Sequence, residues 1–248
     1  MTVETRLIMG MPITLDIPNS EHTGIHERVF GFFTDVDIRF SPFRPDSEVS
    51  RFNAGEVGNS ALSSQMRDVL EIAHRMRKFT DGYFDIRRND GTIDPSGVVK
   101  GWAILGAAQL IEREGFADFC IDAGGDIQVG GRDASRQEWS IGIRNPFAPQ
   151  EIVKAVKPRG QGVATSGNYI RGDHIYDPHD RARRIEGPVS ITVIGSDVLV
   201  ADLHATAAFA MGDAGIYYIE DLEGVEAYQI HRDGTAVQTT GFKEFVFS

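Results

Sequence analysis

Residues 118–131 read DFCIDAGGDIQVGG, two short apolar runs broken by the pair Gly124-Gly125. A glycine-rich turn after an apolar strand raises the dinucleotide fingerprint G-x-G-x-x-G, which needs a helix next in the chain so that pyrophosphate meets its N-terminus. The glycine spacing does not fit. Downstream lie IQVGG, EWSIGIR, IVKAVK and GVATSG, a series of short strands separated by turn residues. Such a series pairs antiparallel rather than in a doubly wound sheet. The Gly pair before Asp126 marks a tight turn where the backbone closely approaches something, a ligand or another strand.

On the N-terminal side, residues 5–16 read as extended structure weakened or bulged at Gly10 and Pro12. Residues 22–39 place Ile25, Val29, Phe32, Phe33 and Val36 on one helical face, and residues 63–79 do the same with Met66, Val69, Leu70, Ala73 and Met76. A third helix runs from about Val98 to Glu114 and stops at Gly115. On the C-terminal side come the strand VSITVIG, a helix containing ADLHATAAF (201–209), a helix over DAGIYYIEDLE, and a closing hairpin. Helices interleaved with meandering strands predict an α+β class. No repeat or long Pro/Gly/Ser linker divides the chain, so residues 1–248 are expected to form a single domain.

The 248 residues suffice for a real core, and 41% hydrophobic and 25% charged residues are ordinary for a globular protein. A formal net charge of −11 and a pI near 5.1 argue against nucleic acid and against an anionic membrane surface. The single cysteine, Cys120, excludes an intrachain disulfide and reads as a buried structural thiol. No basic region leading into an apolar stretch opens the chain, which points to the cytoplasm.

Several stretches break the structural rules. FSPFRPDSEVSRFNAG (40–55) reads as a loop capping a helix at Asp46 or Ser47, with Glu48 in its first turn. In IDPSGVVKGWAI (93–104), Asp94, Ser96, Gly97 and Lys100 crowd a helix start, either a phosphate site or a Ser96 N-cap with an exposed lysine. GVATSGNYIRGDHIYDP (162–178) ends a strand at Thr165-Ser166-Gly167 and carries His174, as a lone histidine more often structural than catalytic. Asp202 and Thr206 share a helix face at i and i+4. Their oxygens suit a hard divalent cation such as Mg²⁺, while a back-bonded threonine and a dipole-favoured carboxylate explain the same spacing. Both readings stand on spacing alone.

Taken in order, these elements resemble the ApbE family, the FAD:protein FMN transferases. The series is Met9-Gly10-Met11, the loop ending Arg51-Phe52-Asn53, Thr80-Asp81-Gly82-Tyr83-Phe84-Asp85, and Asp94-Pro95-Ser96-Gly97 leading to Lys100-Gly101. It continues through Ala123-Gly124-Gly125-Asp126, Thr165-Ser166-Gly167, His174-Ile175-Tyr176-Asp177-Pro178 and Ala201-Asp202 leading to Ala205-Thr206. The chain departs from the family pattern at Met11, at Pro95-Ser96, and between Asp85 and Asp94, where a longer insert is usual.

The resemblance implies an α+β, T-fold-like ApbE fold of mixed helices and largely antiparallel sheets, with FAD in a cleft. It implies Mg²⁺-dependent transfer of FMN from FAD to a Thr or Ser hydroxyl of an acceptor flavoprotein, releasing AMP. The alternatives are an FAD pyrophosphatase yielding FMN and AMP, or a non-catalytic FAD-binding relative. Carried over by position, Gly97, Asp202 and Thr206 would hold the metal. Met9, Phe43, Asp94, Lys100, Asp126, Ser166 and Gly167 would contact FAD, His174 would act as general base, and His204 would be a bystander.

Overall fold

A computed structural model describes residues 3–20, 24–168, 178–180 and 185–246. The chain opens with strands β1 (Val3–Ile8) and β2 (Met11–Asp16), then helices α1 (Ile25–Phe40), α2 (Glu48–Asn53), α3 (Ser64–Phe79) and α4 (Ser96–Arg113). Five strands come next: β3 (Phe119–Ala123), β4 (Asp126–Gly130), β5 (Ile141–Asn145), β6 (Ala148–Val156) and β7 (Gly162–Gly167). The chain ends with β8 (Pro188–Gly195), α5 (Val198–Ala210), α6 (Gly215–Glu220), β9 (Glu226–His231) and β10 (Ala236–Gln238).

Eight strands form one antiparallel sheet in the order β1-β2-β3-β4-β7-β8-β9-β10, and β5 pairs with β6 in a separate ribbon. Apart from that ribbon, sheet neighbours are neighbours in sequence order. The expected single extended stretch over 5–16 is instead a hairpin. Met9 and Gly10 both adopt positive φ, 55° and 71°, and Ile8 pairs with Met11 across the turn. Consecutive left-handed residues give the tight reversal that matches strand twist. Nothing in a Met-Gly pair announces such a turn, because methionine seldom adopts that conformation.

Side chains alternate across the sheet, so one face receives the helices and the other the ribbon. Beneath α1, α3 and α4, the β2 and β3 residues Ile13, Leu15 and Ile121 join Phe33, Met66 and Ile104 in the main core. Further along, Ala164, Ile191, Val193 and Ala227 pack against Ala201, Ala205 and Ala208 of α5. Their strand neighbours Val163 and Ile194 point the other way, onto Ile141, Ile143, Val156 and Phe242. Helix α5 has no polar stripe, since it is wrapped by sheet, α4 and α6 and none of its residues is exposed. Among the described residues, no helix is long and apolar enough to cross a membrane.

Candidate active site

Helices α4 and α5 meet at Gly101, where α4 cannot carry a side chain. A Cβ on Gly101 would lie 2.9 Å from the Leu199 Cα and 3.1 Å from the Asp202 Cβ, so only glycine admits this approach. The contact lets the Gly101 N–H donate to the Asp202 Oδ2 at 3.0 Å. Asp202 is the fifth residue of α5 and only 4% exposed; the first-turn position belongs to Asp197, which caps the helix by accepting from the Val200 N–H at 2.9 Å. Burial pushes the Asp202 carboxyl up to about 7; nearby Asp126 adds to this and the Lys100 ammonium opposes it.

Asp126 is itself 1% exposed, ion-paired with Lys100, and accepts from the Thr165 N–H at 3.1 Å. One turn beyond Asp202, the Thr206 hydroxyl lies 3.4 Å from that of Ser166 at the end of β7. Two buried carboxylates thus face one ammonium, with two hydroxyls alongside. Among the described residues, no group of three or more His, Cys, Asp or Glu side chains gathers as a metal cage. A donor set of carboxylate and hydroxyl oxygens with surplus negative charge fits a hard divalent cation completed by backbone and ligand oxygens, and does not fit zinc.

At the head of α4 the N-cap position is Pro95, which supplies no side-chain cap, so the Ser96 N-cap expectation is corrected. Ser96 instead turns back to Asp94, donating its N–H at 3.1 Å and its hydroxyl at 2.6 Å to Oδ1. Arg88 donates to the other carboxylate oxygen. Burial alone would raise the Asp94 carboxyl, but these bonds outweigh it and hold the group below the usual carboxylate range.

A cavity of about 780 Å³ joins these groups. Of the sequence-derived candidates, Met9, Asp94, Gly97, Lys100, Ser166, Gly167, Asp202 and Thr206 line it. Phe43 stands at its rim with 88% of its surface exposed. Asp126 does not reach the cavity wall and sits behind Lys100. His174 lies outside the described residues. His204 faces away, its Nδ1 2.6 Å from the Tyr218 hydroxyl and its ring against Phe79; burial pushes its pKa down to about 4.

Sequence reasoning missed Phe40, Tyr83 and Arg88, which also line the cavity. Tyr83 falls inside a motif already quoted, and its ring packs edge-on against His179 at 4.6 Å between centroids. Arg88 gave no signal, since it lies between the quoted motifs, in the segment shorter than the family's usual insert.

A model of the ApbE family matches residues 9–89 and 86–229. The chain belongs to the ApbE family. The ApbE relative of Vibrio cholerae serotype O1, an FAD:protein FMN transferase, is 26% identical over 271 residues, covering 86% of this chain and 80% of that protein. The Salmonella typhimurium transferase is 30% identical over 168 residues, 63% of this chain but 48% of its own length. Among solved structures, the flavin transferase ApbE from Vibrio cholerae matches with a TM-score of 0.85 at 23% identity, covering 98% of each chain. The ApbE protein of Thermotoga maritima matches with a TM-score of 0.84 at 20% identity, covering 99% of each. The ApbE fold therefore spans this chain, and the α+β expectation holds.

Proposed function

We propose that residues 1–248 act as one catalytic domain that transfers FMN from FAD to a Thr or Ser hydroxyl of an acceptor flavoprotein, releasing AMP. The observation that carries this reading is the cavity of about 780 Å³, large enough for a dinucleotide, with Asp202, Thr206 and Lys100 on its wall. The transferase names of the relatives point the same way.

In this reading Asp202, Thr206 and the Gly97 carbonyl hold Mg²⁺, whose positive charge would polarise the pyrophosphate oxygens and ease departure of AMP. Lys100, kept in place by Asp126, presents an ammonium beside that charge. Asp94, fixed by Ser96 and Arg88, together with Met9 and Phe43 orients the flavin nucleotide. His174 accepts the proton of the acceptor hydroxyl as its oxygen bonds to the FMN phosphorus. The bond from that phosphorus to the bridging oxygen breaks, and AMP leaves with the bridging oxygen. Positioning and charge neutralisation dominate such a transfer.

The test incubates the protein with FAD, Mg²⁺ and a candidate flavoprotein. A mass gain of one FMN on the acceptor, with stoichiometric AMP, supports the transferase. AMP and free FMN with an unmodified acceptor would replace it by a pyrophosphatase, and flavin binding without turnover by a non-catalytic relative.

A further inference from the structure

The short segment 86–93 forms part of the cavity wall and is tightly built. Arg87 and Ile93 pair as an antiparallel bridge, and the Arg88 N–H donates to the Thr92 carbonyl at 2.8 Å. Asp90 closes the turn by accepting from the Thr92 N–H at 2.9 Å and its hydroxyl at 2.6 Å. From this small hairpin the Arg88 side chain, 45% exposed, reaches the cavity and touches Asp94 through one terminal nitrogen. A guanidinium carries five N–H donors in a planar fork, so one bond to a carboxylate leaves most of them unused.

The charges along the cavity bear on those donors. Among the described residues, its acidic lining consists of Asp37, Asp85, Asp94 and Asp202, and its basic lining of Arg88 and Lys100. Lys100 is tied to buried Asp126, while Asp85 is met by Arg77 at 2.9 Å. A pyrophosphate entering so acidic a cavity meets few cations, since Lys100 is already tied to Asp126. Arg88 can supply one without releasing Asp94, because a guanidinium can bridge a carboxylate and a phosphoryl oxygen at once.

We propose that Arg88 is a phosphate-binding residue of this cavity, gripping a phosphoryl oxygen of the dinucleotide while it holds Asp94. It thereby sets the preference for a phosphorylated flavin over the bare one. The inference rests on the reading of the cavity as an FAD site.

The test titrates FAD and riboflavin into the full chain by flavin fluorescence, in EDTA so that FAD is not consumed. The proteins are wild type, Arg88→Gln and Arg88→Lys, each checked for folding by circular dichroism. Losing charge-assisted bonds to phosphate should weaken FAD binding by roughly tenfold or more in Arg88→Gln. Riboflavin affinity should fall by much less than FAD affinity, and Arg88→Lys, which keeps the charge without the fork, should recover part of the FAD loss. Unchanged FAD affinity in Arg88→Gln would overturn the proposal, and so would an equal loss for both flavins, which would mean that Arg88 acts only by fixing Asp94. Wild type that binds neither flavin would instead sink the FAD reading, and this inference with it.

Discussion

Asp202 is buried on a helix otherwise built of Val, Leu, Ala, His, Thr and Phe, and burial makes its charge costly unless a cation compensates it. Asp202→Asn keeps the shape and the bond from Gly101 in reach while removing the charge. It should cut Mg²⁺-dependent transfer by about a hundredfold or more and leave the melting temperature near wild type; wild-type turnover would disprove the metal assignment. Gly101→Ala should destabilise by about 1–3 kcal/mol, since the added methyl meets the α5 backbone and displaces the carboxylate. A denaturant titration reads this directly. Cys120 offers a pH test. Burial, with Asp122 and Asp16, pushes its thiol up to about 12 from the ordinary 9.0. The folded chain therefore keeps a proton that the unfolded chain sheds, so this contribution to stability is complete below pH 9 and is lost as the pH climbs toward 12. Cys120→Ala should flatten the loss of stability between about pH 9 and about pH 12, and an undiminished slope would deny the thiol that role. At this scale, the i,i+4 pairing of Asp202 with Thr206 was legible because a helix fixes it locally. The Lys100–Asp126 ion pair was not, because it joins a helix to a strand turn that only the tertiary fold brings together.

The start of α2 was readable from a hydroxyl side chain that satisfies an unpaired N–H group, whereas the Ser96 reading at α4 failed and the Ser63 cap of α3 went unread. Ser47 accepts from the Ser50 N–H at 3.0 Å and Ser63 from the Met66 N–H at 3.1 Å. Ser63 does more than cap α3, because its N–H and hydroxyl donate to Glu48 of α2 at 2.6 and 2.7 Å. Ser63→Ala should therefore cost about 1 kcal/mol, and up to about 2, as measured by chemical denaturation. A cost within error would mean that water replaces both bonds. The β1–β2 turn was illegible for a different reason: a positive φ at Met9 is a tertiary demand and carries no composition cue of the Asn-Gly kind. The antiparallel series from residue 118 onward was plain from its turn residues, though nothing in the strand lengths told that β5 and β6 would leave the main sheet.

Over the whole molecule, candidates from residue 9 to residue 206 meet at one cavity because the β1–β2 turn, the start of α4, the end of β7 and α5 converge there. FAD with Mg²⁺ bound only by the folded state should stabilise it by about 2.7 kcal/mol at a hundredfold excess over Kd, raising Tm by several degrees. Differential scanning fluorimetry with FAD, with and without EDTA, checks this; a Tm indifferent to Mg²⁺ would detach the metal from the cavity. The order of motifs was legible in the sequence, whereas the cavity's charge distribution was not, since Arg88 and Arg77 act through partners that a linear pattern does not name.

The pairing of β2 with β3 has a consequence in time. Leu15 opposite Ile121 joins the two ends of a chain segment that contains all of α1 to α4, whereas β3–β4, β7–β8 and β9–β10 each join strands close in sequence order. Closing so long a loop exacts an entropy that local hairpins avoid, and slow non-local contacts govern folding speed. The β3–β4 and β7–β8–β9 pairings can therefore assemble early. The edge bearing Met9 docks late, after the four helices have collapsed enough to bring β2 alongside. In a pulsed hydrogen-exchange experiment, amides of β8 should gain protection before those of β2, so the cavity would be the last part of the molecule to be completed.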